Sequence, residues 1–369
     1  QEIKGGYLMK KYGLKKLGGL VACGLLGATV FLAGCSAKQT SAAKPEAPAP
    51  VKVESQLSSA RNTPIVAAVK KVAPAVVSIT NKAIARDFFG QPFEQTGAGS
   101  GVIYDKSGLI VTNNHVIADA REIIVTLNDG RSVKAKLLGG DAKSDLAVLK
   151  IDADNLTVAT FGDSDTLQVG EPAIAIGNPM GMEGSVSAGV ISALKRTVDM
   201  GDKSMKLIQT DAAISPGNSG GALCNADGEV IGINSMKIGV RGAEGLGFAI
   251  PINEARPIID QLSKSGRVAR PYLGVYLVDK EVLDRNGLEM DLKGGVLLAK
   301  IVPGSGAAKA GLVGGDIILE VNGKKTTNAK EVRSAIENLK VGDTIELVIM
   351  HNGARVNRTV TLGEVPQEN

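Results

Sequence analysis

"GNSGGAL", Gly217 to Leu223, sets a serine among glycines directly before an apolar run. Glycine and serine are ordinary turn residues, so the stretch can be no more than a loop ahead of a strand. It can also be chemistry. A hydroxyl nucleophile needs backbone N–H groups aimed at the oxyanion it creates, and glycine lets backbone approach a substrate closely. The partners that Ser219 finds in the rest of the chain decide between the two readings.

The chain around this stretch is rich in strand signals. "AVVSIT", "GVIYD", "LIVTNNHVI", "EIIVTL", "SVKAKLL" and "LAVLKI" precede it, with "PAIAIG", "SVSAGVISAL" and "LIQTDAAI" closer by. "EVIGINS" and "GFAIP" follow it. All are short, β-branched and separated by Gly, Asn, Asp or Pro, which predicts an all-β sandwich or barrel. "INEARPIIDQLSKSG", from Ile252, reads as a helix that closes this unit in spite of Pro257 and stops at Gly266. The first folded domain is therefore placed at residues 63–265. Residues 266–369 form a second unit. It has strands, a short helix near Ala307 to Ala310, a longer helix over Asn328 to Leu339 and a final hairpin, the pattern of a small α+β domain.

Composition narrows the function. The 369 residues suffice for two domains, and a hydrophobic content of 44% supports real cores. With 3% aromatic residues and no Trp, those cores must be built from Val, Ile, Leu and Ala. The net charge is +4, no long basic run occurs, and aromatic residues are not interleaved with basic ones, so nothing points to nucleic acid.

The N-terminal segment reads as an export signal. Lys10, Lys11, Lys15 and Lys16 precede "LGGLVACGLLGATVFLAG", an uncharged run from Leu17 to Gly34. The run ends in "LAGC", similar to a bacterial lipoprotein signal in which Cys35 is lipidated. The alternative is a transmembrane anchor, because the run is just long enough to span a bilayer. Both place the remaining chain outside the cytoplasm, tethered to a membrane at residues 1–35. Residues 36–62 are rich in Ala, Pro, Lys, Ser and Gln and predict a disordered linker. Of the three cysteines, only Cys224 lies in a folded domain, so neither a disulfide framework nor a cysteine metal site is expected.

The chain holds two histidines. His351, in "MHNGAR", reads as an exposed hairpin residue. His115 lies at the end of the apolar segment "VTNNHVI", and Asp145 opens the alternating strand "DLAVLKI". Singly, each is most simply structural. Together with Ser219 they have the chain order His, Asp, Ser, which on a β-rich scaffold is the order of the chymotrypsin-type double barrel. A serine hydroxyl needs a base, and the base needs an acceptor that fixes its tautomer.

The stretches "GSGVIYDKSGLIVTNNHVI", "DAKSDLAVLKI", "AIGNPMG", "QTDAAISPGNSGGAL", "VIGINS" and "GLGFAIP" resemble the HtrA/Deg family of serine proteases. "PYLGV" and "GGVLLAKIVPGSGAAKAGLVGGDIILEVNG" resemble a PDZ domain of that family. The resemblance covers about residues 63 to 365. It implies a double six-stranded barrel of the chymotrypsin/trypsin type followed by one PDZ domain, acting on misfolded or damaged exported proteins, often as a homotrimer. It implies Ser219 as nucleophile, His115 as base and Asp145 as the residue that orients it. The Gly217–Asn218–Ser219 turn would supply the oxyanion hole. No metal or organic cofactor is required. Asn218 departs from the Asp that captures a new amino terminus in zymogen-activated relatives. The active geometry must then be set by loops, which the resemblance places at about 195–206, 214–218 and 237–247.

In the trypsin fold a pocket for Lys or Arg carries an Asp six residues before the serine. That position is Ala213 here, with Ile214 beside it and Ile233, Asn234 and Ser235 on the partner strand as the expected S1 walls. A small apolar pocket predicts cleavage after aliphatic residues, because a buried basic side chain would lack a partner. "YLGV", Tyr272, Leu273, Gly274 and Val275, would bind the C-terminal carboxylate of a peptide that adds as a strand, with Arg267 and Arg270 either assisting or standing as solvated linker charges. Two rival functions are a chaperone or stress sensor with proteolysis secondary, and a membrane-tethered scaffold. The intact His, Asp and Ser set argues against a non-catalytic chaperone or sensor, Ser219→Ala discriminates both rivals from a protease, and a chaperone activity can coexist with proteolysis.

Overall fold

The computed structural model describes residues 61–86, 89–179, 184–199, 204–235, 245–337 and 339–366. The expected lipidation at Cys35, nearly all of the linker, and parts of two of the expected loops (200–203 and 236–244) lie outside these residues.

A helix not foreseen in the sequence, α1 (Pro64–Val72), opens the described chain, capped by Thr63, whose Oγ1 accepts from Val66 N at 3.3 Å. The first barrel follows as β1 (Val76–Arg86), β2 (Pro92–Asp105), β3 (Leu109–Thr112), a helical turn α2 (Asn114–Ile117), β4 (Glu122–Thr126), β5 (Ser132–Asp141) and β6 (Leu146–Lys150). It closes antiparallel in the order β1-β2-β3-β6-β5-β4. The second barrel comprises β7 (Pro172–Gly177), β8 (Ser185–Asp199), β9 (Ser204–Thr210), β10 (Ala222–Cys224), β11 (Val230–Asn234) and β12 (Gly247–Pro251), ordered β10-β11-β12-β9-β8-β7. Helix α3 (Ile252–Ser265) then runs through Pro257 and ends at Gly266, whose φ of 73° and N–H bond to Leu262 O close it.

Strand periodicity explains how the barrels join. In β6, Ala147 and Leu149 fill the first barrel, while Leu146 and Val148 face outward. In β7, Ala173 and Ala175 fill the second barrel, while Ile174 and Ile176 face outward. The outward sets meet one another in a shared core with Ile252, Ala255, Ile259 and Leu262 of α3. Strands buried on both faces read as continuous apolar runs, not alternating ones. β4 is packed on one face only and alternates, with Ile123 and Val125 buried.

The PDZ unit carries β13 (Pro271–Tyr272), β14 (Val275–Val278), α4 (Lys280–Arg285), β15 (Val296–Ile301), α5 (Gly306–Lys309), β16 (Ile317–Val321), β17 (Lys324–Lys325), α6 (Ala329–Glu337), β18 (Thr344–His351), β19 (Ala354–Thr361) and β20 (Gly363–Glu364). Its main sheet runs β14-β15-β16-β18-β19, with β17 on β16, and β13 pairs with β20. Val296, Leu298, Ile318, Val332, Leu347 and Val360 share its core. Asp279 joins two helices. One of its carboxylate oxygens caps α4 by accepting from Val282 N, and the other accepts from Ala329 N at the start of α6. The short helix expected at Ala307 to Ala310 and the longer one expected at Asn328 to Leu339 form as α5 and α6, each shifted by a residue or two.

Candidate active site

The apolar pattern before His115 predicts a strand reaching the histidine, but β3 stops at Thr112. Asn113 adopts an extended backbone and His115 rides on the helical turn α2. The turn is held from behind by Asn81 of β1, whose Nδ2 donates to Val116 O at 3.1 Å and Ala118 O at 2.9 Å. Asp145 sits between β5 and β6 with a φ of 55°, a left-handed kink that turns its carboxylate toward His115. Ser219 lies in the turn before β10, so the second barrel faces the first across these three side chains.

The contacts form one chain of hydrogen bonds. His115 Nδ1 is 2.8 Å from Asp145 Oδ2 and 3.0 Å from Oδ1, and His115 N donates to Oδ1 at 3.0 Å. His115 Nε2 is 2.9 Å from Ser219 Oγ. A carboxylate accepts only, so Asp145 keeps the proton on Nδ1 and leaves Nε2 as acceptor for the serine. Asp145 is 1% exposed, and such burial of a carboxylate demands several donors. Ser235 Oγ supplies another, at 3.1 Å from Oδ2. The Asp145 backbone oxygen is also bonded, by Asn114 N at 3.1 Å and Asn113 Nδ2 at 3.0 Å. Asn113 is fully buried and its Oδ1 lies 3.0 Å from Ser219 Oγ, so one side chain bridges the Asp145 backbone and the serine.

The glycines around Ser219 answer a packing need. Gly217 has a φ of 99°, and a Cβ there would fall 2.2 Å from Pro179 Cβ. Gly220 has a φ of 83°, and its Cβ would fall 2.2 Å from Ser100 O. The turn is fastened to the first barrel, because Ser100 N donates to Ser219 O at 2.8 Å and Ser100 Oγ to Gly217 O at 2.5 Å. Asn218 is buried, its N–H donating to Ser215 O at 3.0 Å and its Nδ2 to Ala213 O at 3.4 Å. A cavity of about 570 Å³ opens beside Ser219 and His115, with Asn81, Ile84 and Gly217 among its walls.

Three of the residues expected as S1 walls have side chains engaged within the protein. β11 is buried on both faces. Ile233 therefore belongs to the shared core, Asn234 Nδ2 donates to Ala222 O at 2.8 Å, and Ser235 Oγ points to Asp145. Ala213 is exposed and Ile214 half-buried, packed against the second barrel. Asp211 is committed elsewhere, its Oδ1 accepting from Val190 N at 2.7 Å. Cys224 is buried, which pushes its thiol up to about 12. Among the described residues no group of side chains has the composition of a metal site.

In the PDZ unit, Tyr272, Leu273, Gly274 and Val275 line a cavity of about 320 Å³ with Ile336 and Glu337 of α6. Gly274 has a φ of 86°, and a Cβ there would lie 2.1 Å from Ser305 Cβ. The expected arginines point elsewhere. Arg267 pairs with Glu364 at 2.7 Å, and Arg270 grips both oxygens of Asp141 at 2.6 Å. Burial alone would raise the Asp141 carboxyl, but Arg270 and Ser144 outweigh it and hold it below its ordinary value. His351 pairs with the buried Asp316 at 2.7 Å and is a structural residue of the PDZ unit.

Two antiparallel six-stranded barrels with Ser, His and Asp joined across them define a trypsin-like serine peptidase. Residues 99–233 match the family model for the trypsin-like peptidase domain, and residues 271–362 that for the PDZ domain. The chain is 42% identical over 322 residues to serine protease Do-like HtrA of Bacillus subtilis, covering 80% of this chain and 72% of the relative. It is 47% identical over 280 residues to a periplasmic DegP-like serine endoprotease of Halomonas elongata, covering 75% of this chain and 58% of that protein. A solved variant of the HtrA-type protease AlgW, with a decapeptide, superposes with a TM-score of 0.71 at 36% identity, over 82% of this chain and 98% of that one. The chain belongs to the HtrA family of serine proteases.

Proposed function

We propose that the protein is an exported endopeptidase that cleaves unfolded or damaged polypeptides through an acyl-enzyme. The observation that carries this reading is the unbroken chain Asp145–His115–Ser219, with contacts of 2.8 and 2.9 Å. Ser219 Oγ attacks the scissile carbonyl carbon while His115 Nε2 takes its proton. Asp145 stabilises the imidazolium, which then protonates the leaving amine. The tetrahedral oxyanion is held by the N–H groups of Gly217 and Ser219. Water attacks the acyl-enzyme with His115 again as base.

Ala213 and Ile214 offer no acidic partner, which supports aliphatic P1 residues over Lys or Arg. Such residues are normally buried, so the substrate must be unfolded to present them. The Tyr272–Val275 loop binds peptide C-termini, a reading supported by the peptide-bound AlgW structure. Kinship with periplasmic proteases supports an extracytoplasmic location, with tethering by lipid at Cys35 or by the apolar N-terminal run. No helix of the described residues is long and apolar enough to cross a membrane. The homotrimer rests on family resemblance alone. The test of the central reading is Ser219→Ala, which should abolish both casein cleavage and fluorophosphonate labelling. Retention of either would overturn it.

A further inference from the structure

The PDZ groove contains a residue of the barrel domain. Lys143, from the β5–β6 connection, lines the same 320 Å³ cavity as the Tyr272–Val275 loop, and its Nζ lies 3.0 Å from Glu337 Oε1. The direction of α6 shows at which end of the groove this occurs. Asp279, just beyond the end of β14, holds Ala329 N at the start of α6. Helix α6 therefore runs back along β14 toward its beginning. Its last turn, with Ile336 and Glu337, faces the loop where a peptide's terminal carboxylate would dock. Arg333, the other cation in the cavity, sits one helical turn farther from that end.

Glu337 alone would repel a carboxylate there. The arginines nearest in sequence are engaged by Glu364 and Asp141. Among the described residues that line the cavity, Lys143 is thus the cation at the loop end, and its side chain is 45% exposed, free enough to re-aim. Resting on the reading of this groove as a C-terminal peptide site, we propose that Lys143 reads the ligand, its ammonium turning from Glu337 to the peptide's terminal carboxylate. The specificity of the PDZ groove is then completed by the protease domain. Lys143 is also two positions from Asp145. The segment between them is anchored by Ser144 N, which donates to Asp141 Oδ2 at 2.7 Å, and Asp141 is gripped by Arg270 beside the loop. Ligand and triad thus bear on one short segment.

The test uses the full chain and the tightest-binding member of a dye-labelled decapeptide pool randomised at its last four positions. Binding is compared for the free acid and the C-terminal amide, in wild type, Lys143→Gln, Glu337→Gln and the double variant. Lys143→Gln should weaken the free acid about threefold to tenfold and leave the amide unchanged. It should do so in the Glu337→Gln background as well. Loss of the effect in that background would mean that Lys143 only neutralises Glu337, and would overturn the proposal. Equal weakening of acid and amide would also overturn it, while leaving the peptide site standing. A pool with no free-acid binder at all would overturn the peptide site itself, and the proposal with it.

Discussion

Ser235→Ala separates two uses of one side chain. As an S1 wall, Ser235 would set which residue is cut. As a donor to Asp145, it would set how fast every substrate is cut. The structure gives the second arrangement, with Oγ 3.1 Å from an Asp145 oxygen that also takes His115 Nδ1 at 2.8 Å. A hydrogen bond to a buried charge contributes about 1.5 to 3 kcal/mol to stability. His115 N and Nδ1 remain as donors after the substitution, so the carboxylate keeps its place. With one donor fewer, more of its existing charge is directed at the imidazolium, which offsets part of the loss. The expected result is a fall of about tenfold in kcat/KM, equivalent to about 1.4 kcal/mol. That is far short of the roughly 10⁴-fold expected when the carboxylate itself is made neutral. The assay is kcat/KM on a peptide set varied at P1, repeated in an Asp145→Asn background. The fall should be uniform across P1 residues and should largely vanish beside Asp145→Asn. A changed P1 profile, or a full tenfold loss in the Asp145→Asn background, would refute the reasoning.

Gly217→Ala forces a Cβ into the position 2.2 Å from Pro179 Cβ at a φ of 99°. The turn must move, and kcat/KM should drop by about 10² to 10³, the size of one lost oxyanion donor. Wild-type turnover in a well-folded variant would remove Gly217 from the oxyanion hole. Arg270→Gln tests the linkage at Asp141, whose carboxyl is held low in the folded state by Arg270 and Ser144 despite its burial. A depressed carboxyl stabilises the fold above its unfolded value of about 3.9 and loses that contribution as pH falls through the folded value. Urea midpoints of wild type and variant should therefore differ most at neutral pH and converge below about pH 4. A gap that stays constant down to about pH 2 would place the effect of Arg270 elsewhere.

The barrels were legible because their strands are short, β-branched and bounded by turn residues. The helices were harder. α3 shows an apolar face and a glycine stop, whereas α1 hides in "PIVAAVKKV", apolar residues that fit a strand equally well. Only its docking, with Ala68 and Val72 buried in the shared core, selects the helix. The end of β3 hides for a similar reason. "VTNNHVI" continues the pattern of β3, and nothing local says that the strand must stop at Thr112. What stops it is tertiary. Asn113 turns inward to reach Asp145 O and Ser219 Oγ, and Asn81 captures two carbonyls of the turn that follows.

The site shows the same division. Ser219, His115 and Asp145 were legible because their chemistry needs those residue types and their chain order is specific. The contact of Ser235 with Asp145 is not legible, because a strand's alternation gives a face but not the partner waiting there. Alternation puts Ile233 and Ser235, the residue just past β11, on one side, and each meets a different partner there. Ile233 meets the apolar core and Ser235 meets the carboxylate at the seam between barrels. The role of Lys143 is illegible for a further reason. In "DAKSDLAVLKI" it reads as a solvated charge beside a catalytic aspartate, and its partner Glu337 lies in another domain. No local pattern can encode such a pair. It arises because Arg270 and Asp141 clamp the start of the PDZ unit to the end of β5, which carries α6 over the β5–β6 connection. Removing the Arg270 clamp should therefore loosen the Lys143 contact as well, although the two ion pairs share no atom.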